Sequence, residues 1–456
     1  MRPLWTSAEI AQATGGVASA DFDCDSVTFD SREVIGGELF VAMKGETADG
    51  HDFVDSAFER GAAGAIVSRP VDHPHVLVKD GLAALDALGR AGRERATNAT
   101  IFGITGSVGK TSVKEALRHA LAAAEPECTH WSVKSYNNHT GVPLSLARMP
   151  ADTRYGVFEM GMNHAGELSA LTQIVRPHIA IVNAIAPAHI ENFETIEGIA
   201  DAKAEIFEGL MPEGTAVLPL ESDHFERLRG HAKRYAARIV TFGLSTDADV
   251  HLEREGEAEA GERRLIARVD DTSVSFSLSQ PGKHWTLNAL ATLAMVHAAG
   301  GDLAAAGLGL SALGGLEGRG AQHKIPWQDG EVLVLDESYN ANSASMAAAL
   351  AVLGDMTVRG RRVAVLGAMR ELGTRSDALH RALAEPIRAA NVESVAFVGD
   401  ETAPIADALN APRFDSAAEA EDWLRSELRA GDAVLLKGSN SVGLGQVVSS
   451  LLTETD

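Results

Sequence analysis

The chain has 456 residues, which at about 150 residues per domain sets a prior of roughly three domains. Forty Lys and Arg against 63 Asp and Glu leave a formal charge of −23, which argues against a general nucleic-acid or anionic-membrane binder. Two cysteines, Cys24 and Cys128, exclude a disulfide framework and a four-thiolate zinc site, and no apolar run reaches the roughly 18 residues that span a bilayer. The opening residues lack the apolar core of a signal peptide, so the expectation is a cytoplasmic protein with no nucleic-acid partner and no membrane span.

In chain order, Leu39–Ala42 and Ala65–Val67 are apolar runs of strand length. An alanine-rich, helix-like stretch, Gly81 to Thr97, precedes a strand at Thr100–Ile104, and a domain boundary is expected near residue 98. Val113, Ala116, Leu117, Ala120 and Leu121 then recur at helical spacing. Strands are expected at Tyr155–Glu159 and Ile179–Asn183. This alternation implies a mostly parallel sheet covered by helices. Residues 247–280 read as a small antiparallel addition. After the glycine-rich Gly307–Gly320 the alternation resumes, with strands expected at 332–335, 362–366, 394–398 and 433–436. The expected fold class is therefore α/β, with domains at 1–97, 98–311 and 312–456.

Thr105-Gly-Ser-Val-Gly-Lys-Thr111 follows the Thr100–Ile104 strand and opens a helix. Inward N–H groups of such a loop cradle phosphate oxygens, and the helix N-terminus adds its positive dipole end. Lys110 would neutralise the β/γ-phosphates and Thr111 would hold Mg²⁺ through its hydroxyl. The full G-x-x-x-x-G-K-[ST] pattern is not met, because Ile104 stands at the first glycine. The alternative is a glycine-rich turn with a solvated lysine; the strand–loop–helix context favours phosphate. Glu159, at a strand end, is a plausible Mg²⁺ ligand or a solvated strand-end carboxylate. His189 and Lys203 gain no weight from spacing alone.

These stretches, with NNHTGVPLSL, FEMGMNHAGEL, AHIENF…AKAEIF, GKHWTLNAL, GRG, LDESYNANSASM and LKGSNS, resemble the Mur ligase family over the whole chain. DESYNAN and the AHIENF…AKAEIF pair carry most of the narrower assignment within it. The resemblance implies an N-terminal UDP-sugar domain, a central P-loop ATPase domain and a C-terminal Rossmann-like domain. It also implies a two-step reaction. ATP phosphorylates the C-terminal carboxylate of UDP-N-acetylmuramoyl-tripeptide, and the amine of D-alanyl-D-alanine attacks the acyl phosphate, releasing ADP and phosphate.

The resemblance assigns Gly106, Ser107, Val108, Gly109, Lys110, Thr111, Ser112, Asn288, Arg319, Asp336 and Asn340 to ATP. Lys110, Glu159, His189, Lys203 and Arg319 become the catalytic set. Thr111, Glu159, His189 and a carbamylated Lys203 form the metal side. Ser31 and Arg32 are assigned to the UDP-sugar, Asn138 and Thr140 to the muramoyl peptide, and Lys437 and Ser439 to the incoming amine. A monomer is implied. Trp285, Ala368 and Asn440 depart from the family's usual residues on the nucleotide and amine sides. Two competing readings are a folylpolyglutamate-type ligase and a nucleotide-driven switch. The FDSREVIGGELFVAMKG segment opposes the first, and the second α/β domain opposes the other.

Overall fold

A computed structural model describes residues 3–45, 48–187, 190–257 and 263–453. Among these, three main sheets follow one another along the chain. The first has five short strands in the order Val17–Ala18, His75–Leu77, Gly64–Val67, Glu38–Val41 and Ser26–Thr28, parallel except at the Val17 edge. Its strands alternate cleanly. Leu39, Val41 and Ile66 join one apolar cluster while Phe40, Ala42 and Ala65 join another on the opposite face.

The second sheet has nine strands, with Thr100–Thr105 between Tyr155–Glu159 and Ile179–Val182. Both faces are buried: Phe102 and Ile181 point into one core, Ile101 and Val182 into the other. That explains the near-continuous apolar strands in the sequence. Residues 247–280 supply Val250–Glu257, Arg263–Val269 and Thr272–Leu278; the first joins this same sheet parallel to Arg238–Gly243, and the other two follow it in antiparallel pairing. The third sheet has six strands. Ala321–Trp327 pairs antiparallel with Gly330–Glu337, and Ala433–Lys437, Arg362–Gly367, Ser394–Val398 and Arg413–Phe414 follow in parallel. The Ala321–Trp327 strand is absent from the sequence expectation. So are Thr215–Pro219 and Arg238–Gly243 in the second sheet.

The three units are packed together. The helix Gly81–Arg95 lies against Gly141–Ala147, where a Cβ on Gly92 would sit 2.3 Å from the Leu146 carbonyl. Only glycine permits that approach. Ile190, which follows the second sheet's central strands, is buried in the apolar cluster of the third unit with Met346, Met369 and Leu372. The strand Thr100–Thr105 lies between two later strands, Tyr155–Glu159 and Ile179–Val182, both parallel to it, so the chain crosses over to either side of it and its C-terminal end opens a crevice where α/β sheets bind ligands.

Candidate active site

The chain leaves Thr105 into that crevice. Ser107 N–H donates to the Ala184 carbonyl at 2.8 Å, tying the loop to the next strand end. Gly109 takes φ +79°, and a Cβ there would stand 2.4 Å from Asn183 Nδ2 and 2.9 Å from Asn288 Oδ1. The helix Lys110–Ala124 starts immediately, with no side-chain cap on its first N–H groups. Those donors face a cavity of about 400 Å³ between the second and third units. The loop residues Ser107 to Ser112 all line it. Lys110 Nζ folds back onto the Gly106 carbonyl at 2.8 Å. Burial pushes its pKa down, and the Glu159 carboxylate opposes that shift. The buried Ser107 Oγ and Asn183 Oδ1 also line the cavity and have no hydrogen-bond partner among the described residues. An orphaned hydroxyl that can donate, Ser107 Oγ, beside uncapped N–H groups fits a phosphate-bearing ligand.

Glu159 is 1% exposed, at the end of Tyr155–Glu159. Its Oε2 accepts from Thr111 Oγ1 and its Oε1 from Asn137 Nδ2, both at 2.7 Å. Lys203 is also 1% exposed, near the end of the helix Ile196–Ala204. Its pKa lies well below the ordinary lysine value, first through burial and then through the charge of Lys110. His189 lies outside the described residues.

The third unit closes the cavity. Arg319 lines it, with its guanidinium 4.2 Å from the centre of the Tyr339 ring. Asn288, Asn340 and Lys437 line it as well. Asn288 Oδ1 accepts from Asn183 Nδ2 at 3.0 Å. Lys437 Nζ donates to the Asn340 carbonyl at 2.9 Å and reaches Glu337 at 3.4 Å, and burial lowers its pKa. Trp285 is 2% exposed and lines the cavity near Asn288.

Several expected site residues stand elsewhere. Asp336 does not line the cavity. It is buried beneath the Gly318–Gly320 turn, accepting from Gly318 N–H at 2.7 Å and from the Ser338 hydroxyl at 2.6 Å, and so shapes the turn that carries Arg319. Asn138 Oδ1 accepts from the Thr140 hydroxyl and the Gly141 N–H, so this pair shapes the turn that leads into the helix Gly141–Ala147. Ser31 and Arg32 lie on the first unit, where Ser31 is buried and Arg32 pairs with Asp30 at 2.7 Å. Ser439 Oγ accepts from Arg370 N–H at 3.1 Å, Ala368 is buried beside it, and Asn440 is exposed. The sequence reading passed over Asn137, Asn183 and Tyr339. Asn183 ends an expected strand on the ligand side, so the strand-end rule could have found it.

Family models match three consecutive stretches: the Mur ligase family catalytic domain at 24–88, the Mur ligase middle domain at 104–296 and the Mur ligase glutamate ligase domain at 325–440. The UDP-N-acetylmuramoyl-tripeptide–D-alanyl-D-alanine ligase of Escherichia coli is 36% identical over 450 residues, covering 96% of each chain. The chain belongs to the Mur ligase family. The Bacillus subtilis ligase of the same name is 32% identical and covers 93% of this Mur ligase and of itself. Among solved structures, a MurF crystal structure from Acinetobacter baumannii superposes with a TM-score of 0.85 at 29% identity, covering 98% of this Mur ligase and 99% of the other chain. MurF ligase from Thermotoga maritima in complex with ADP gives 0.77 at 28% identity, covering 94% and 97%.

Proposed function

We propose that this Mur ligase joins D-alanyl-D-alanine to UDP-N-acetylmuramoyl-tripeptide at the expense of ATP, making the UDP-linked pentapeptide of peptidoglycan synthesis, ADP and phosphate. The observation that carries this is the convergence of the phosphate loop, Glu159, Arg319 and Lys437 on one inter-unit cavity, in a chain that matches such ligases over nearly its whole length. Residues 1–97 would bind the UDP-sugar, 98–311 ATP, and 312–456 the incoming amine. The enzyme would work as a cytoplasmic monomer.

A carboxylate is a poor electrophile until one oxygen becomes a good leaving group. Phosphoryl transfer needs positive charge around the γ-phosphate as charge spreads. Lys110 on the loop and Arg319 from the opposite unit supply it. The loop N–H groups orient the triphosphate, and Asn288 and Asn340 flank it. Mg²⁺ fits the donor set: the Thr111 hydroxyl and the Glu159 carboxylate are hard oxygen ligands. Among the described residues no group of three or more His, Cys, Asp or Glu is arranged for a metal. That suits a cation that takes one or two carboxylates and completes its shell with phosphates and water. Held by Thr111 and Glu159, it would supply positive charge to neutralise the phosphates. Burial disfavours the charged form of Lys203, and the neutral amine is the form that reacts with CO₂ to give a carbamate, which would add an anion to the metal side with His189. On the amine side, Lys437 and Ser439 would face the dipeptide, and enclosure by the third unit would keep water from the acyl phosphate.

The test is phosphate release from MgATP with UDP-N-acetylmuramoyl-tripeptide, with and without D-alanyl-D-alanine. Release that requires both substrates, with the UDP-pentapeptide mass forming, is the expected result. Release indifferent to the dipeptide would overturn the assignment in favour of a nucleotide switch.

A further inference from the structure

Lys114 lies one helical turn beyond Thr111 and is completely buried. Its ammonium donates to the Ser132 carbonyl at 2.9 Å and the Lys134 carbonyl at 2.7 Å, and pairs with Glu115 at 3.0 Å. An ammonium has three protons, and here each has a protein acceptor. None is left for a substrate. Burying such a charge is costly unless every donor is satisfied, so the arrangement commits the helix of the phosphate loop to holding one segment of backbone.

That segment, Ser132–Asn137, touches every part of the molecule. Lys134 has φ +53°, a left-handed conformation that a non-glycine residue keeps only when its surroundings impose it. The Lys134 ammonium and the Tyr136 hydroxyl both donate to Glu33 Oε1 of the first unit, the latter at 2.9 Å. Ser135 Oγ accepts from the Tyr339 hydroxyl of the third unit at 2.9 Å, and the Tyr339 ring carries Arg319. Asn137 holds Glu159. Six residues thus connect the first unit, the arginine of the third unit and the carboxylate beside the phosphate loop.

We propose that Lys114 is a positioning residue, and that Ser132–Asn137 is a coupling element through which the phosphate loop sets the placement of Glu33 on one side and of Tyr339 and Arg319 on the other. The inference rests on the ligase reading only for its kinetic readout. Its physical content is a single rigid segment whose position both flanking units bias.

The experiment is a double-mutant cycle between the two ends of the segment, Glu33→Gln and Tyr339→Phe, read as kcat/KM for UDP-N-acetylmuramoyl-tripeptide. These side chains have no partner in common. If the segment couples them, the loss in the double variant departs from the product of the single losses by about threefold or more. In a Lys114→Met background the losses multiply, and Lys114→Met alone raises KM for both ATP and the UDP-substrate. Losses that multiply in the wild-type background overturn the proposal, and that result does not require Lys114→Met to fold. A Lys114→Met enzyme with unchanged KM values and only a reduced kcat or Tm makes Lys114 a structural pillar and overturns its positioning role. A wild-type chain that does not ligate at all is instead the failure of the proposed activity. The cycle is then read by calorimetry as the effect of ADP on UDP affinity, where additive binding energies again overturn the coupling.

Discussion

Thr111 Oγ1 donates to Glu159 Oε2 at 2.7 Å, joining the last residue of the phosphate-loop motif to the carboxylate at the neighbouring strand end. The contact places side by side the two oxygens proposed to hold a hard cation. Glu159→Gln keeps the size and removes the charge. The expected result is an Mg²⁺ requirement shifted upward by about 10- to 100-fold, with the fold retained by circular dichroism. An unchanged Mg²⁺ titration of phosphate release would take Glu159 out of the metal site.

Gly109 is held at φ +79°, and the Asn183 and Asn288 side chains occupy the space a Cβ would take. Gly109→Ala incurs about 1–2 kcal/mol for the left-handed backbone alone, and the overlap with Asn183 Nδ2 adds to it. Relief comes either from shifting the loop N–H groups or from swinging the Asn183 and Asn288 amides out of their mutual hydrogen bond, and both disturb the lining of the cavity. ATP KM should rise by about tenfold or more. Gly166→Ala is the control: its φ is +87°, but nothing lies within 4 Å of the added methyl. That variant should lose a little stability and leave the ATP KM alone. Equal ATP KM values for the two variants would contradict a steric role for Gly109.

His130 makes acidification destabilising. Its ring packs near Phe158, with centroids 6.0 Å apart, and Nε2 bonds to the Ser145 carbonyl at 2.8 Å. Burial lowers its pKa from 6.5 to about 4. The folded pKa lies below the unfolded one, so as pH falls the unfolded chain takes up the proton first. Stability is complete above about 6.5 and is lost on going down towards 4, with a limiting slope of about 1.4 kcal/mol per pH unit for one proton. His119, His178, His284 and His380 shift in the same direction, so the difference between wild type and His130→Gln isolates this ring. Urea melts at pH 7 and pH 5 should show a smaller loss for the variant. Parallel curves would mean that the ring titrates normally in the fold.

What the sequence made legible was what local pattern encodes. The phosphate loop follows an apolar strand and opens a periodic helix, and Glu159 closes another strand, so both sit where a parallel sheet must present them. The contacts between units are not encoded in that way. Ser135 and Tyr339 meet across a fold-level gap that no periodicity reports. Lys114, four residues after Lys110, reads as an ordinary helix lysine until the Ser132 and Lys134 carbonyls are seen to close over it. Neighbouring positions within one quoted motif separate in role for the same reason: Asn137 holds the site carboxylate, whereas Asn138 turns away to hold the turn before a helix. Thr215–Pro219 and Arg238–Gly243 carry only short runs, Ala216–Leu218 and Ile239–Phe242, which pairing with each other and with Ile179–Val182 turns into strands.

Lys203 gives the sharpest test of the metal side. It is buried, and no hydrogen bond or ion pair holds its amine among the described residues, while the positive charge of Lys110 disfavours a second cation. A depressed pKa shifts the amine towards its neutral form, and only the neutral amine attacks CO₂. The adduct is an anion and releases one proton, which reverses the local charge and suits a site that must also hold Mg²⁺ against phosphate. Three results should follow. Enzyme equilibrated with ¹³C-bicarbonate at neutral pH shows a carbamate carbonyl resonance that Lys203→Met lacks. Ligation slows when bicarbonate and CO₂ are removed and recovers when they return. Lys203→Ala loses roughly 100-fold or more in kcat, the scale seen when one stabilising group is taken from a transition state. It is partly rescued by a short carboxylate such as formate, which refills the space with the missing anion. A fully active Lys203→Ala enzyme would remove the residue from the mechanism. An inactive one without the resonance would leave it there as an amine.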